Sequence, residues 1–111
     1  MSSHKALSLT IRDDDTLHSA YLAWLARGGL FVPTERHYSL GQRVYLLITL
    51  PDAHDRLPVE GEVVWLTPPG TADRVAGIGV HFGADGQALR ERIEARLEAH
   101  PLPSALTRHT L

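Results

Sequence analysis

The sequence predicts a small, mostly β domain: an antiparallel barrel or sandwich of five or six short strands, followed by one C-terminal helix. Two observations carry this. Up to Phe82, short β-rich runs alternate with Gly, Pro and Asp turn signals. From Asp85 onward the apolar spacing changes from that of a strand to that of a helix. At 111 residues the chain is one domain by length. A chain of this size buries roughly two-thirds of the surface its unfolded form exposes, enough for a core without a metal or disulfide staple.

Residues 7–11, LSLTI, alternate apolar and polar as a half-buried strand does. Asp13-Asp14-Asp15 then stops the strand and caps the turn that follows. In DTLHSAYLAW, Leu17, Tyr21 and Trp24 recur at helical spacing, which reads as a short helix or turn. Gly28-Gly29 suits a tight turn with positive φ, and Leu30-Phe31-Val32 continues as a strand closed by Pro33. QRVYLLITL, ended by Pro51, and LPVEGEVVWLT, reached through the polar connector DAHDR, form a hairpin. Pro68-Pro69-Gly70 opens a loop that runs to about Ala76. GIGVHF is then a short strand with glycines where bulky side chains would crowd.

In DGQALRERIEARLEAH the side chains of Leu89, Ile93 and Leu97 fall on one helix face, with Asp85 as the cap and Pro101 as the stop. The alternating Arg and Glu of the opposite face read as solvated surface with weak i,i+4 support. LPSALTRHTL has no periodicity and reads as a flexible tail. The domain is therefore placed at 1–99, with the barrel at about 5–84 and the helix at about 86–99, leaving 100–111 as tail.

Composition excludes several chemistries. There are no cysteines, so disulfides, thiolate catalysis and cysteine-bearing zinc sites are absent. With 11 Lys plus Arg and a net charge of −2, no basic stripe for nucleic acid is visible. The start, MSSHKALSLTIRDDD, reaches an acidic run before any long apolar stretch, so it does not read as a signal peptide. No apolar run is long enough to suggest a membrane span, and the chain reads as cytoplasmic.

The seven histidines form no H-x-H, H-x-x-H or H-x-x-x-H pair, so no metal ligand set is expected; surface or hydrogen-bonded strand positions account for them. Asp13-Asp14-Asp15 lacks the spaced carbonyl and carboxylate ligands of a calcium loop. No G-x-S-x-G elbow, paired-carboxylate pattern or phosphate-binding glycine loop is present, so no catalytic residue and no cofactor are expected and the chain reads as a non-enzyme.

Taken in order, GGLFVPT (28–34), EGEVVWLTP (60–68) and GIGVHF (77–82) resemble the PilZ domain family, and more narrowly its stand-alone members of type IV pilus assembly. The resemblance covers about residues 5–98 and implies a six-stranded antiparallel barrel with a helix packed at its C-terminal end. Most PilZ domains are receptors for cyclic di-GMP, using an N-terminal R-x-x-x-R and a [D/N]-x-S-x-x-G segment. Guanidiniums in the first motif pair with phosphates and guanines, and short polar side chains in the second supply directional hydrogen bonds.

The chain departs from that pattern. With Gly29 as the motif glycine, the Ser position is Ala26 and the Asp/Asn position is Trp24, and MSSHKA holds no arginine pair. Its R-x-x-x-R, Arg92 to Arg96, lies on the C-terminal helix and reads as part of a charged face. Losing two charged contacts of ~1.5–3 kcal/mol and two hydrogen bonds of ~1 kcal/mol removes roughly three to six decades of affinity. The resemblance therefore implies an adaptor that does not itself bind cyclic di-GMP. The pilus-type PilZ proteins that it resembles bind the pilus-extension ATPase, PilB, and in some bacteria also the EAL domain of a degenerate GGDEF–EAL regulator, FimX, so these are the partners that the resemblance implies.

Large apolar side chains are what remains for such a role, because Tyr and Trp are enriched at binding hot spots. Tyr21, Trp24 and Leu25 occupy the segment that forms the ligand rim in messenger-binding relatives and are assigned to a protein interface. Leu7 and Leu9 on the first strand are candidates for a second one. Trp65, at a strand exit, fits core or contact equally and is kept as an interface candidate, whereas Phe31 and Phe82 read as core. The tail from Leu102 to Leu111 is a further candidate for docking by coupled ordering. The runner-up is a cyclic di-GMP receptor with an altered site. A nucleic-acid-binding barrel is disfavoured because its aromatics would be interleaved with Lys and Arg.

Overall fold

A computed structural model describes residues 6–101 of the chain. The order of elements is β1 (Ala6–Thr10), α1 (Asp14–Ala20), β2 (Gly29–Pro33), β3 (Arg43–Thr49), β4 (Leu57–Thr67), β5 (Gly77–Phe82), a single 3-10 turn (Ala84–Gly86) and α2 (Gln87–Ala99). The strands form one curled sheet, a half-barrel, in the order β1-β3-β4-β5-β2.

Two parts of the expected barrel are corrected. Among the described residues there are five strands rather than six, and β1 runs parallel to β3, from Ala6 beside Tyr45 to Thr10 beside Thr49. A parallel neighbour needs a long connection. The chain supplies one: α1, a loop and β2 all intervene, with β2 at the opposite edge of the sheet. Outside the strands, Tyr21 forms one antiparallel bridge with Leu30, and Leu22 N–H donates to the Gly29 carbonyl (2.9 Å). The β3–β4 hairpin forms as the sequence predicts, with Val44 opposite Gly61 and Leu46 opposite Val59.

Period-two alternation sends Leu30 and Val32, Leu46 and Ile48, Val59 and Val63, and Ile78, Val80 and Phe82 to the inner face. Leu17 of α1 and Leu89 and Ile93 of α2 close the core. The predicted helix face is therefore right, with Leu97 packed at its margin. The cap is not. Asp85 sits inside the 3-10 turn, and α2 begins from Gly86 with no side-chain cap. Asp13 does cap α1, accepting from Thr16 N–H at 2.8 Å, and that bond holds its carboxyl below the usual range.

The charged face of α2 is more engaged than a solvated surface. Arg96 Nε donates to Asp14 of α1 (2.6 Å) and its Nη2 to Asp52 (3.1 Å). Asp52 reaches this position from the β3–β4 turn, where its backbone is left-handed (φ 60°), a conformation Asp tolerates better than most residues. His18 Nε2 donates to the His100 carbonyl (2.8 Å), completing the α1–α2 contact. The tail from Leu102 to Leu111 lies outside the described residues. No helix among the described residues is long and apolar enough to cross a membrane.

Candidate interaction surface

The segment between α1 and β2 is a loop with a bound base and a free tip. Tyr21 is half-buried against the core, and its hydroxyl donates to Glu94 of α2 at 2.5 Å. Arg90 Nε approaches the same carboxylate oxygen at 3.2 Å. Burial first, and the Glu94 acceptor second, push the Tyr21 phenol up to about 12. The reverse holds for Glu94, whose carboxyl is lowered chiefly by the tyrosine hydroxyl and then by Arg90.

The second half of the loop is tied to β5 and α2. Arg27 N–H donates to His81 Nε2 (3.1 Å). Arg27 Nε donates to the Phe82 carbonyl (2.8 Å), and Arg90 Nη1 to the Ala26 carbonyl (3.3 Å). Gly28 closes the loop with φ 77°, where a Cβ would strike the Tyr21 ring and hydroxyl. Gly29 is already strand, and a Cβ there would run into the Val80 carbonyl oxygen. Between these anchors Trp24 stands 66% exposed, Ala23 and Ala26 are exposed, and Leu25 is half-buried with its Cδ1 over Gly29.

A second apolar area lies on the outer face of the sheet. Trp65 of β4 and Phe31 of β2 both stand opposite Gly79 of β5, so the three share one face. Without side chains at Gly77 and Gly79 the aromatics lie across the middle strand: a Cβ at Gly79 would meet Trp65 Cβ (2.8 Å) and Leu22 Cδ1 (3.3 Å), and one at Gly77 would meet the Phe31 ring. Trp65 reaches this face because the β4–β5 register shifts between Val63 and Trp65. In a regular strand those two residues would share a face. The bulge lets Val63 be fully buried while Trp65 is 47% exposed. The indole N–H donates to Thr67 Oγ1 at 2.9 Å, which fixes the ring.

The candidate residues thus fall into separate places. Tyr21, Trp24 and Leu25 belong to the loop, and Trp65 to the outer face, where Leu22 links the two. Leu7 and Leu9 lie on β1, at the other edge of the strand order, and pack half-buried against the core. Phe82 is core, as read from the sequence; Phe31 is not, because Leu30 and Val32 take the inward positions on either side of it. Sequence reasoning missed Leu22, Arg27, Arg90 and Glu94. Only the glycine pair of GIGVHF signalled that something bulky crosses β5.

Trp24 and Ala26 both lie at the exposed tip of the loop. Arg27 and Arg90 line a cavity of about 190 Å³ with Gly83, Ala84 and Gln87 at the start of α2, but both guanidiniums already donate within the chain. The PilZ domain family matches residues 4–99 of the chain. A search of curated proteins returned no match.

Proposed function

The chain belongs to the PilZ domain family, and from that premise we propose that it is a non-enzymatic adaptor of type IV pilus assembly and twitching motility. It joins the pilus-extension ATPase and the EAL domain of a FimX-like regulator, and does not bind cyclic di-GMP itself. PilZ domains are generally binding or adaptor modules tied to cyclic di-GMP signalling rather than enzymes. The observation that carries the narrower reading is the loop tip. Where receptors present Asp or Asn and Ser, this chain presents an exposed indole and a methyl group. An exposed Trp on a base pinned by Tyr21, Arg27 and Arg90 is a pre-organised protein contact.

The test is retention by the immobilised pilus ATPase. Wild type binds; Tyr21→Ala and Trp24→Ala bind at least tenfold more weakly while still unfolding cooperatively. Unchanged retention of folded variants removes this interface assignment. Loss of cooperative unfolding in Tyr21→Ala marks that residue as structural.

The second reading, a cyclic di-GMP receptor with an altered site, draws on the Arg27–Arg90 cavity. Calorimetry decides between them: micromolar binding of the nucleotide to the purified chain establishes the receptor, and its absence leaves the adaptor.

A further inference from the structure

Between the Tyr21–Ala23 segment and the outward side of α2 runs an open groove of about 620 Å³. Its apolar surface comes from Tyr21, Ala23, Ala95 and Leu97, and its rim from Glu91, Glu94 and Glu98. The rim positions, with Ala95 between them, recur at helical spacings of three and four and so form one stripe along the helix.

The charge on this stripe is not balanced from within. Arg90 is joined to Glu94 (3.2 Å), Arg92 approaches Asp55 (3.9 Å), and Arg96 is held by Asp14 and Asp52. Every arginine of α2 is thus committed to an acid of the same chain. Among the described residues Glu91 and Glu98 enter no ion pair, and Glu91 accepts only from the Gln87 amide (3.1 Å).

We propose that this groove docks a basic amphipathic helix of a protein partner. Glu91 and Glu98 are seven residues apart, about 10 Å along the axis. They match Lys or Arg at i and i+7 of an incoming helix, whose apolar residue at i+4 rests on Tyr21 and Ala95. The small side chains of Ala23 and Ala95 allow the two backbones to approach closely. The same negative rim repels nucleic acid and anionic lipid surfaces, so a cationic protein segment is the occupant the charge selects. This proposal rests on the adaptor reading and adds the chemistry of the partner.

The test titrates the full-length chain with two helical peptides. One carries lysines at i and i+7 around a leucine at i+4; the other has glutamates in place of the lysines. The lysine peptide shifts the backbone amide resonances of Ala23, Ala95 and Leu97, and the glutamate peptide shifts none. The double variant Glu91→Lys, Glu98→Lys, with an unchanged melting transition, weakens lysine-peptide binding at least tenfold, and high salt does the same. Equal binding of both peptides, shifts confined to other surfaces, or full affinity of the double variant overturns the proposal. Because the ATPase takes no part, the outcome is separate from the retention assay. A positive titration with failed retention leaves the groove standing and removes the adaptor's partner; the reverse removes the groove alone.

Discussion

On its inner face β5 presents Ile78, Val80 and Phe82, all buried; on its outer face the same six residues present Gly77, Gly79 and the half-buried His81. Inside, bulk comes from β5 itself. Outside, β5 is bare, and the bulk comes from its neighbours, with Phe31 and Trp65 reaching over the glycines from either side. The difference shows how one short strand serves two ends. An aromatic directed inward contributes stability through burial. Aromatics laid across a glycine strand are held in place yet stay partly exposed, and the glycines that would weaken an isolated strand give them room.

Two substitutions test that contrast and a third tests the neighbouring loop base, in decreasing order of effect. Phe82→Ala empties a fully buried site and lowers stability by about 3–5 kcal/mol in urea denaturation; a cost below about 1 kcal/mol would mean that the inner aromatic is not the anchor. Gly79→Ala pushes a methyl group against Trp65 Cβ and costs about 1–3 kcal/mol, with a change in tryptophan fluorescence that marks the displaced indole. Full stability of that variant would show that the outer aromatics are not seated on the glycine.

Tyr21→Phe comes last, at about 1 kcal/mol or less, because it deletes one partly exposed hydrogen bond to Glu94. Its pH signature is sharper than its size. The phenol titrates near 12 in the folded chain against an ordinary value of 10.0, so the protonated form is the one folding favours. The contribution is fully present below pH 10 and is lost as pH rises through about 12. Ultraviolet titration of tyrosinate, taken as the difference between wild type and Tyr21→Phe, reads that shift directly. A difference curve centred on the ordinary tyrosine value would show that the loop base is open.

Element by element, the local reading held where side-chain period decides structure. LPVEGEVVWLT and GIGVHF became β4 and β5 with the bounds their patterns imply, and Leu89 and Ile93 turned to the core from one helix face. It failed where the outcome depends on residues far along the chain. Nothing near Arg96 announces Asp14 or Asp52, which lie 82 and 44 positions away. Nothing near Tyr21 announces Glu94, 73 positions on, so whether that aromatic was free or fastened was not legible. Of the candidate site, the helical spacing of Leu17, Tyr21 and Trp24 does not extend past Ala20, where α1 ends and leaves Trp24 exposed, and the outer position of Phe31 required its register with Gly79.

The sequence by itself determined the mostly β class, the order of the elements, the core face of the C-terminal helix and the absence of thiol chemistry. These depend on side-chain period and composition, which belong to each segment alone. Tertiary structure decided that β1 joins β3 in parallel, that Tyr21 meets Leu30 in a single bridge, and that a bulge after Val63 turns Trp65 outward. Strand partners and register come from contacts between distant segments, where backbone hydrogen bonding and core filling must be satisfied together. A one-residue shift in β4 was enough to exchange a buried tryptophan for an exposed one.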